Sequence, residues 1–203
     1  MSSRFVPCVA SKTKRQIEDE AEAFLARHMP ERLVVPGKTD VIEAFELLGD
    51  VYDLKPGVAE LSDGVEGMTW PDGRVQVSEE TYSRALQGHG RARFTIVHET
   101  YHGLYHRDQI KRVLIDEGEL VLFRRSDIPV MVDPEWQANI FAGALLMPRA
   151  MVRQVIKEAS GSCEITDMIY YFGVSPAAAK VRLRKLRHDG YLQSSRRYIQ
   201  DVF

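Results

Sequence analysis

The chain has 203 residues, 44% of them hydrophobic and 28% charged, which argues against wholesale disorder and allows one good core, or one core with a small satellite. No apolar run approaches the roughly 18 residues a bilayer crossing needs, and the opening MSSRFVPCVASKTK lacks a signal-peptide core, so a cytoplasmic protein without membrane association is expected. Cys8 and Cys163 stand far apart and outside any CxxC pattern, which argues against a disulfide framework or a thiolate zinc knuckle. The net charge of −2 hides an asymmetry. Residues 149 to 197 carry ten Lys and Arg against Glu158, Glu164, Asp167 and Asp189, a balance of +6 that leaves −8 elsewhere. Any nucleic-acid footprint therefore belongs to the C-terminal quarter.

In chain order, Ile17, Ala21, Phe24 and Leu25 predict an amphipathic helix within residues 12 to 28, closed by Pro30. A second helix starts at Asp40, with Glu43 as a capping-box partner, and Gly49 marks its C-terminus. VYDL (51 to 54) leads into a Gly-rich passage; GMTW and VQVS then flank Pro71-Asp72-Gly73 as a β-hairpin. Ser78 opens a short helix to about Gln87, GHG breaks it, and a further helix runs from about Arg91 to His106. Residues 107 to 132 read as charged and irregular, apart from a strand at Leu120 to Phe123. Asp133-Pro134 looks like the N-cap and first position of a helix, EWQANIFAGALLM, ended by Pro148. Three short helices follow at about 149 to 158, 164 to 172 and 176 to 188, then a basic tail with weak strand signal.

Within the fourth helix, His98-Glu99-Thr100-Tyr101-His102 is HExxH. Positions i and i+4 share one helical face, so both imidazoles can reach a single cation, while Glu99 is placed to take a proton from metal-bound water. A catalytic zinc site usually needs a third protein ligand. His106 lies about 12 Å further along a straight helix and cannot share an ion with His98. The longer metzincin pattern fails, because Tyr105 and Asp108 stand where it needs Gly and His. A carboxylate from a second helix is the alternative. Glu135 is the best candidate, one turn ahead of Asn139 on an otherwise apolar helix, although an ordinary first-turn glutamate would also suit that position.

RARFTIVHETYHGLYH (91 to 106), followed by EWQANIFAGALLMP (135 to 148), resembles the ImmA/IrrE family of zinc-dependent metallopeptidases. A helix ending in LLGD, EG before the hairpin and RFT abutting HExxH fit as well, and the likeness covers about residues 15 to 192. The resemblance implies an α+β, zincin-like and gluzincin-like domain: a small antiparallel or mixed sheet with an active-site helix. It matches His98, His102 and Glu135 to the ligands of Zn2+ and Glu99 to the general base. His106 matches a family histidine that is not a ligand, which suits a role supporting a ligand from behind or packing. Tyr101 stands where a small residue is usual, and Ala144 where Glu is often found. Tyr101 could pack, or could offer its hydroxyl to an oxyanion; Asn139 is a further candidate beside the ligands.

The expected domains are 1–148, the peptidase, and 149–203, a basic helical unit of winged-helix or helix-turn-helix kind. Ser175-Pro176 starts the second helix of ITDMIYYFGVSPAAAKVRLRKL, and Lys180, Arg184 and Arg187 are its candidate DNA or partner contacts. An extended substrate is expected to dock on a sheet edge at VQVS. The family implies a protein substrate that is a helix-turn-helix repressor of the xenobiotic-response-element type, cut to derepress stress, prophage or mobile-element genes. The rival reading is a non-catalytic DNA- or repressor-binding regulator, or a toxin–antitoxin-type partner, with a structural or vestigial metal site. A nuclease is disfavoured by the lack of acidic clustering.

Overall fold

A computed structural model describes residues 5–117, 123–124, 127–158 and 164–192. It is an α+β fold in which helices enclose a small mixed sheet. α1 (Lys14–His28) begins at a capping box, with Thr13 and Gln16 bonding each other's backbone N–H. α2 (Val41–Asp50) is capped by the Asp40 side chain, which accepts from the N–H groups of Ile42 and Glu43. The helix runs through Gly49, contrary to expectation. Left-handed backbone falls instead at Asp53 (φ 51), while Gly49 sits inside the last turn close to Pro56.

β2 (Lys55–Ala59) follows, and β3 (Gly67–Thr69) and β4 (Arg74–Ser78) form the expected hairpin. The spatial order β2-β4-β3 has β2 parallel to β4 and β3 antiparallel to it. VQVS is thus the central strand, flanked on both sides, and cannot be the docking edge. Of the two outer strands, β3 lies against the HExxH helix. Ser78 N–H donates to Glu66 O, and Trp70 N–H donates to Arg74 O. Antiparallel alternation then turns the backbone of Gly67 and Thr69 away from β4, along the outer edge of the sheet.

α3 (Glu79–Leu86) starts at the Ser78 cap, and α4 (Gly90–Tyr101) carries the motif. A π-helical turn, His102–His106, leads into α5 (Arg107–Glu117), where an irregular segment was expected. β5 (Phe123–Arg124) pairs with β1 (Phe5–Val6); the rest of the strand expected from Leu120 lies outside the described residues, as does the tail beyond residue 192. α6 (Pro134–Leu146) has the expected Asp133 cap and Pro134 at its first position. α7 (Arg149–Glu158), α8 (Glu164–Phe172) and α9 (Pro176–His188) complete the order. Among the described residues no helix is long and apolar enough to cross a membrane.

Burial of Ile17, Leu25, Ile96, Phe141 and Leu145 forms a core that continues past residue 148 into Val152, Met168, Phe172 and Leu183. Polar ties cross the same line. Arg182 of α9 pairs with Glu18 of α1, both buried, and its Nε donates to Met147 O at 3.0 Å. Arg93 of α4 donates to Gly173 O at 3.1 Å and to Thr39 O at 2.8 Å. A Cβ at Gly90 would strike the Val174–Ser175 backbone, so the start of α4 needs glycine to sit against the α8–α9 turn. The C-terminal helices are therefore seated on the helices that carry the motif.

Candidate metal centre

α4 presents His98 and His102 one turn apart, and the first turn of α6 brings Glu135 against both. His98 Nε2 lies 3.4 Å from Glu135 Oε2, and His102 Nε2 lies 3.3 Å from Glu135 Oε1. The two Nε2 atoms are 3.0 Å apart. Among the described residues these three form the cluster able to hold a metal ion, with ligand atoms within 4.8 Å of one another. The spacing tests the fit. Bonds of about 2.05 Å in a tetrahedron give ligand–ligand edges of about 3.3 Å; the two imidazole nitrogens, 3.0 Å apart, come close to that, and each faces a different oxygen of the Glu135 carboxylate, at 3.4 Å for His98 and 3.3 Å for His102. Two imidazole nitrogens and a carboxylate, each partly open to solvent, are a donor set that would suit zinc. Burial opposes charge on the Glu135 carboxyl, but contact with His102 and His98 outweighs it and holds the group well below the usual carboxylate range. Burial likewise works against charge on His102, and the Glu135 contact with nearby carboxylates raises its pKa in spite of it. The three side chains can hold a cation.

Glu99 is 8% exposed and turned toward β3. Its Oε2 accepts from Thr69 Oγ1 at 3.0 Å. A Cβ at Gly67 would come within 2.6 Å of Glu99 Cγ, so glycine at this edge position leaves the carboxylate room. Glu99 thus follows His98 directly on α4 and lies against the outer strand β3.

Behind the cluster lies a polar chain whose hydrogen-bond polarity can be deduced. Gln137 is fully buried, and its Nε2 donates to Ala10 O at 2.9 Å and Met131 O at 2.7 Å. Two carbonyl partners fix the amide, leaving Oε1 as acceptor for His106 Nε2 at 3.1 Å. With its proton on Nε2, the fully buried His106 offers a bare Nδ1 to His102 Nδ1 at 2.9 Å. Burial first, and His102 second, hold His106 neutral by pushing its pKa well below the ordinary value. His102 must then donate from Nδ1, so in the neutral ring it is Nε2, the nitrogen facing Glu135, that is free to ligate a metal. The π-helical turn is what folds His106 beneath His102. Gln137 was not recognised in the sequence; a glutamine two residues after Glu135 in an apolar helix was the available signal.

Other predicted residues are placed differently. Tyr101 is fully buried, stacked among Tyr105, His106 and Phe141. Its hydroxyl donates to Glu20 at 3.0 Å and accepts from Lys12 at 3.2 Å, so it cannot serve an oxyanion in the cleft. Asn139 is exposed in a groove beside α6 and makes no described hydrogen bond to either histidine. Lys180 and Arg184 are exposed on α9, but Arg187 is an ion-pair partner of Glu164 with only 12% of its side chain exposed. The pair with Glu164 ties α9 to α8.

The model of a peptidase family described as the IrrE N-terminal-like domain matches residues 82–184, just over half of the chain. Nothing among curated proteins matches it. A solved structure described as a Mycobacterium tuberculosis transcriptional regulator is similar at 21% identity with a TM-score of 0.56. The similarity covers 90% of this chain but only 48% of that one, so the chain spans about half the length of that structure. With HExxH, the distal Glu135 and the hairpin-flanked α4 all inside or bordering the matched region, the chain belongs to the family of IrrE N-terminal-like domains and has its zincin-like α+β fold.

Proposed function

We propose that the protein is a zinc-dependent endopeptidase with a regulatory role, acting in the cytoplasm on a helix-turn-helix transcriptional repressor. The observation that carries the reading is the cluster of His98, His102 and Glu135, with ligand atoms within 4.8 Å of one another, and Glu99 next to His98 on the same helix. Zinc held there would supply Lewis acidity toward water and toward a peptide carbonyl. The chain's own residues do the rest. Glu99 takes the proton of the attacking water and returns it to the leaving nitrogen, held in aim by the Thr69 hydroxyl. The outward backbone of Gly67 and Thr69 on β3 offers the edge along which an extended peptide adds a strand. Repressor as substrate rests on family membership and on the regulator to which the fold is similar.

The test is incubation of zinc-loaded protein with purified repressors of the xenobiotic-response-element type, read by intact-mass spectrometry, with Glu99→Gln as control. Cleavage at one bond by wild type alone supports the proposal. Binding without cleavage by both forms would turn the assignment to a non-catalytic regulator.

A further inference from the structure

α4, α6 and α9 leave between them a groove of about 640 Å³, within the roughly 300–1,000 Å³ of small-ligand pockets. Phe94, Trp136 and Ile140 form one side, and Ala177, Ala178 and Val181 the other. The groove runs along α4 and α6 within about one helical turn of His98 and Glu135. Thr95 precedes His98 by less than a turn, Trp136 adjoins Glu135, and Asn139 lies one turn beyond it on the same face. At Gly143 a Cβ would find a single neighbour, Arg182 Cδ at 4.0 Å, so the middle of the groove is open space.

The cations of the groove differ in their commitments. Arg182 is held by Glu18, and Arg91 by Glu66 at 2.8 Å. Lys185, half-buried at the end of the Ala177–Val181–Lys185 stripe, has no hydrogen bond or ion pair among the described residues. Burial, with Lys14, Arg182 and Arg184 nearby, pulls its pKa down to about 8. The nearby Glu18 carboxylate is engaged by Arg182, so this partly desolvated ammonium stands at the edge of an apolar trough without a carboxylate paired to it among the described residues. The N-terminal half of α9, which a DNA reader would lay in a major groove, here faces α4 and α6 instead.

We propose that this groove binds the part of the protein substrate flanking the scissile bond, a segment with bulky apolar side chains and an Asp or Glu whose carboxylate meets Lys185. This rests on the peptidase reading, and the experiment separates the two. Fluorescein-labelled dodecapeptides containing Leu, Phe and Glu, with Glu→Gln and Leu/Phe→Ser counterparts, are titrated by anisotropy into metal-free protein, where no turnover can intervene. The acidic apolar peptide should bind at least about tenfold more tightly than either counterpart. Lys185→Gln should erase the preference for Glu over Gln while leaving the Gln peptide unchanged, a double-mutant signature of one contact. Gly143→Leu, which fills open space and favours the helix, should abolish binding of all three peptides without lowering the melting temperature. Equal binding of Glu and Gln peptides, indifference to Gly143→Leu, or competition by duplex DNA at the same site would overturn the groove assignment. Failure of the peptidase reading would show instead as absent zinc or absent cleavage, in separate measurements.

Discussion

Replacing His106 by Phe removes the acceptor on which the tautomer of His102 depends while keeping a ring of similar size in a fully buried site. The His106–His102 contact of 2.9 Å and the His106–Gln137 contact of 3.1 Å are both lost. With its Nδ1–H unpaired, His102 no longer has Nε2 fixed as the bare nitrogen. Removing such an outer partner typically costs about 10- to 100-fold in metal affinity, or about 1.4–2.8 kcal/mol. The fold should also weaken by about 1–3 kcal/mol, because Gln137 Oε1 loses its His106 donor while the Tyr101 hydroxyl, 3.5 Å away, has its one proton on Glu20. Zinc affinity is measured by competition with a chelator, and metal-free stability by denaturant unfolding. Nitrogen-15 NMR of metal-free wild type should show His102 protonated on Nδ1 and His106 on Nε2. If His106→Phe loses stability but binds zinc as tightly as wild type, the histidine merely packs and the tautomer argument is wrong. A proton on His106 Nδ1 would refute it directly.

Three further outcomes follow from the same contacts. His106, held neutral by burial and by His102, gains its proton only on unfolding. It therefore draws stability from the metal-free fold as pH falls below the unfolded value of about 6.5, by up to ~1.4 kcal/mol per unit. The raised pKa of His102 works in the opposite direction in that window, so the decisive quantity is the difference from His106→Phe, which should lose less between pH 7 and pH 5. Parallel curves would contradict the assignment. Gly67→Ala should displace Glu99, whose Cγ would be 2.6 Å from the new methyl, cutting peptidase turnover at least about tenfold with zinc content unchanged; loss of zinc instead would place Gly67 in ligand geometry. Arg182→Leu strands the buried Glu18 carboxylate and should cost about 3–5 kcal/mol in urea unfolding. Most of that should return in Glu18→Leu/Arg182→Leu, and a loss below about 1 kcal/mol would show the pair to be dispensable.

Much of this site could be read in the sequence because its signals are local. HExxH needs only helical spacing, and Asp133-Pro134 announces α6 so clearly that Glu135 falls in its first turn. The caps at Asp40, Ser78 and Ser175 are each satisfied as their residue types require. The failures are non-local. β2 contains Pro56 and Gly57, which depress strand signal, and it exists because it lies parallel to β4 at the sheet's outer edge. That pairing also buries the edge expected at VQVS, since strand order is not written in a strand's own residues. α5 is highly charged and its periodicity is weak, while the π-helical turn before it is one residue wider than any helical template. Gln137, which fixes His106 beneath His102, was hidden for a related reason. Gln137 matters through Ala10 and Met131, more than a hundred residues distant and six residues distant respectively.

The central claim, a metal site of two histidines and one glutamate, is tested most directly by metal content. Wild type and Glu135→Gln, each purified without added metal, are compared by inductively coupled plasma mass spectrometry. The predicted result is close to one zinc per wild-type chain and strong loss in the variant, whose neutral amide meets both imidazoles where the carboxylate stood. Wild type that carries no zinc, and takes up none when it is offered back, would contradict the account.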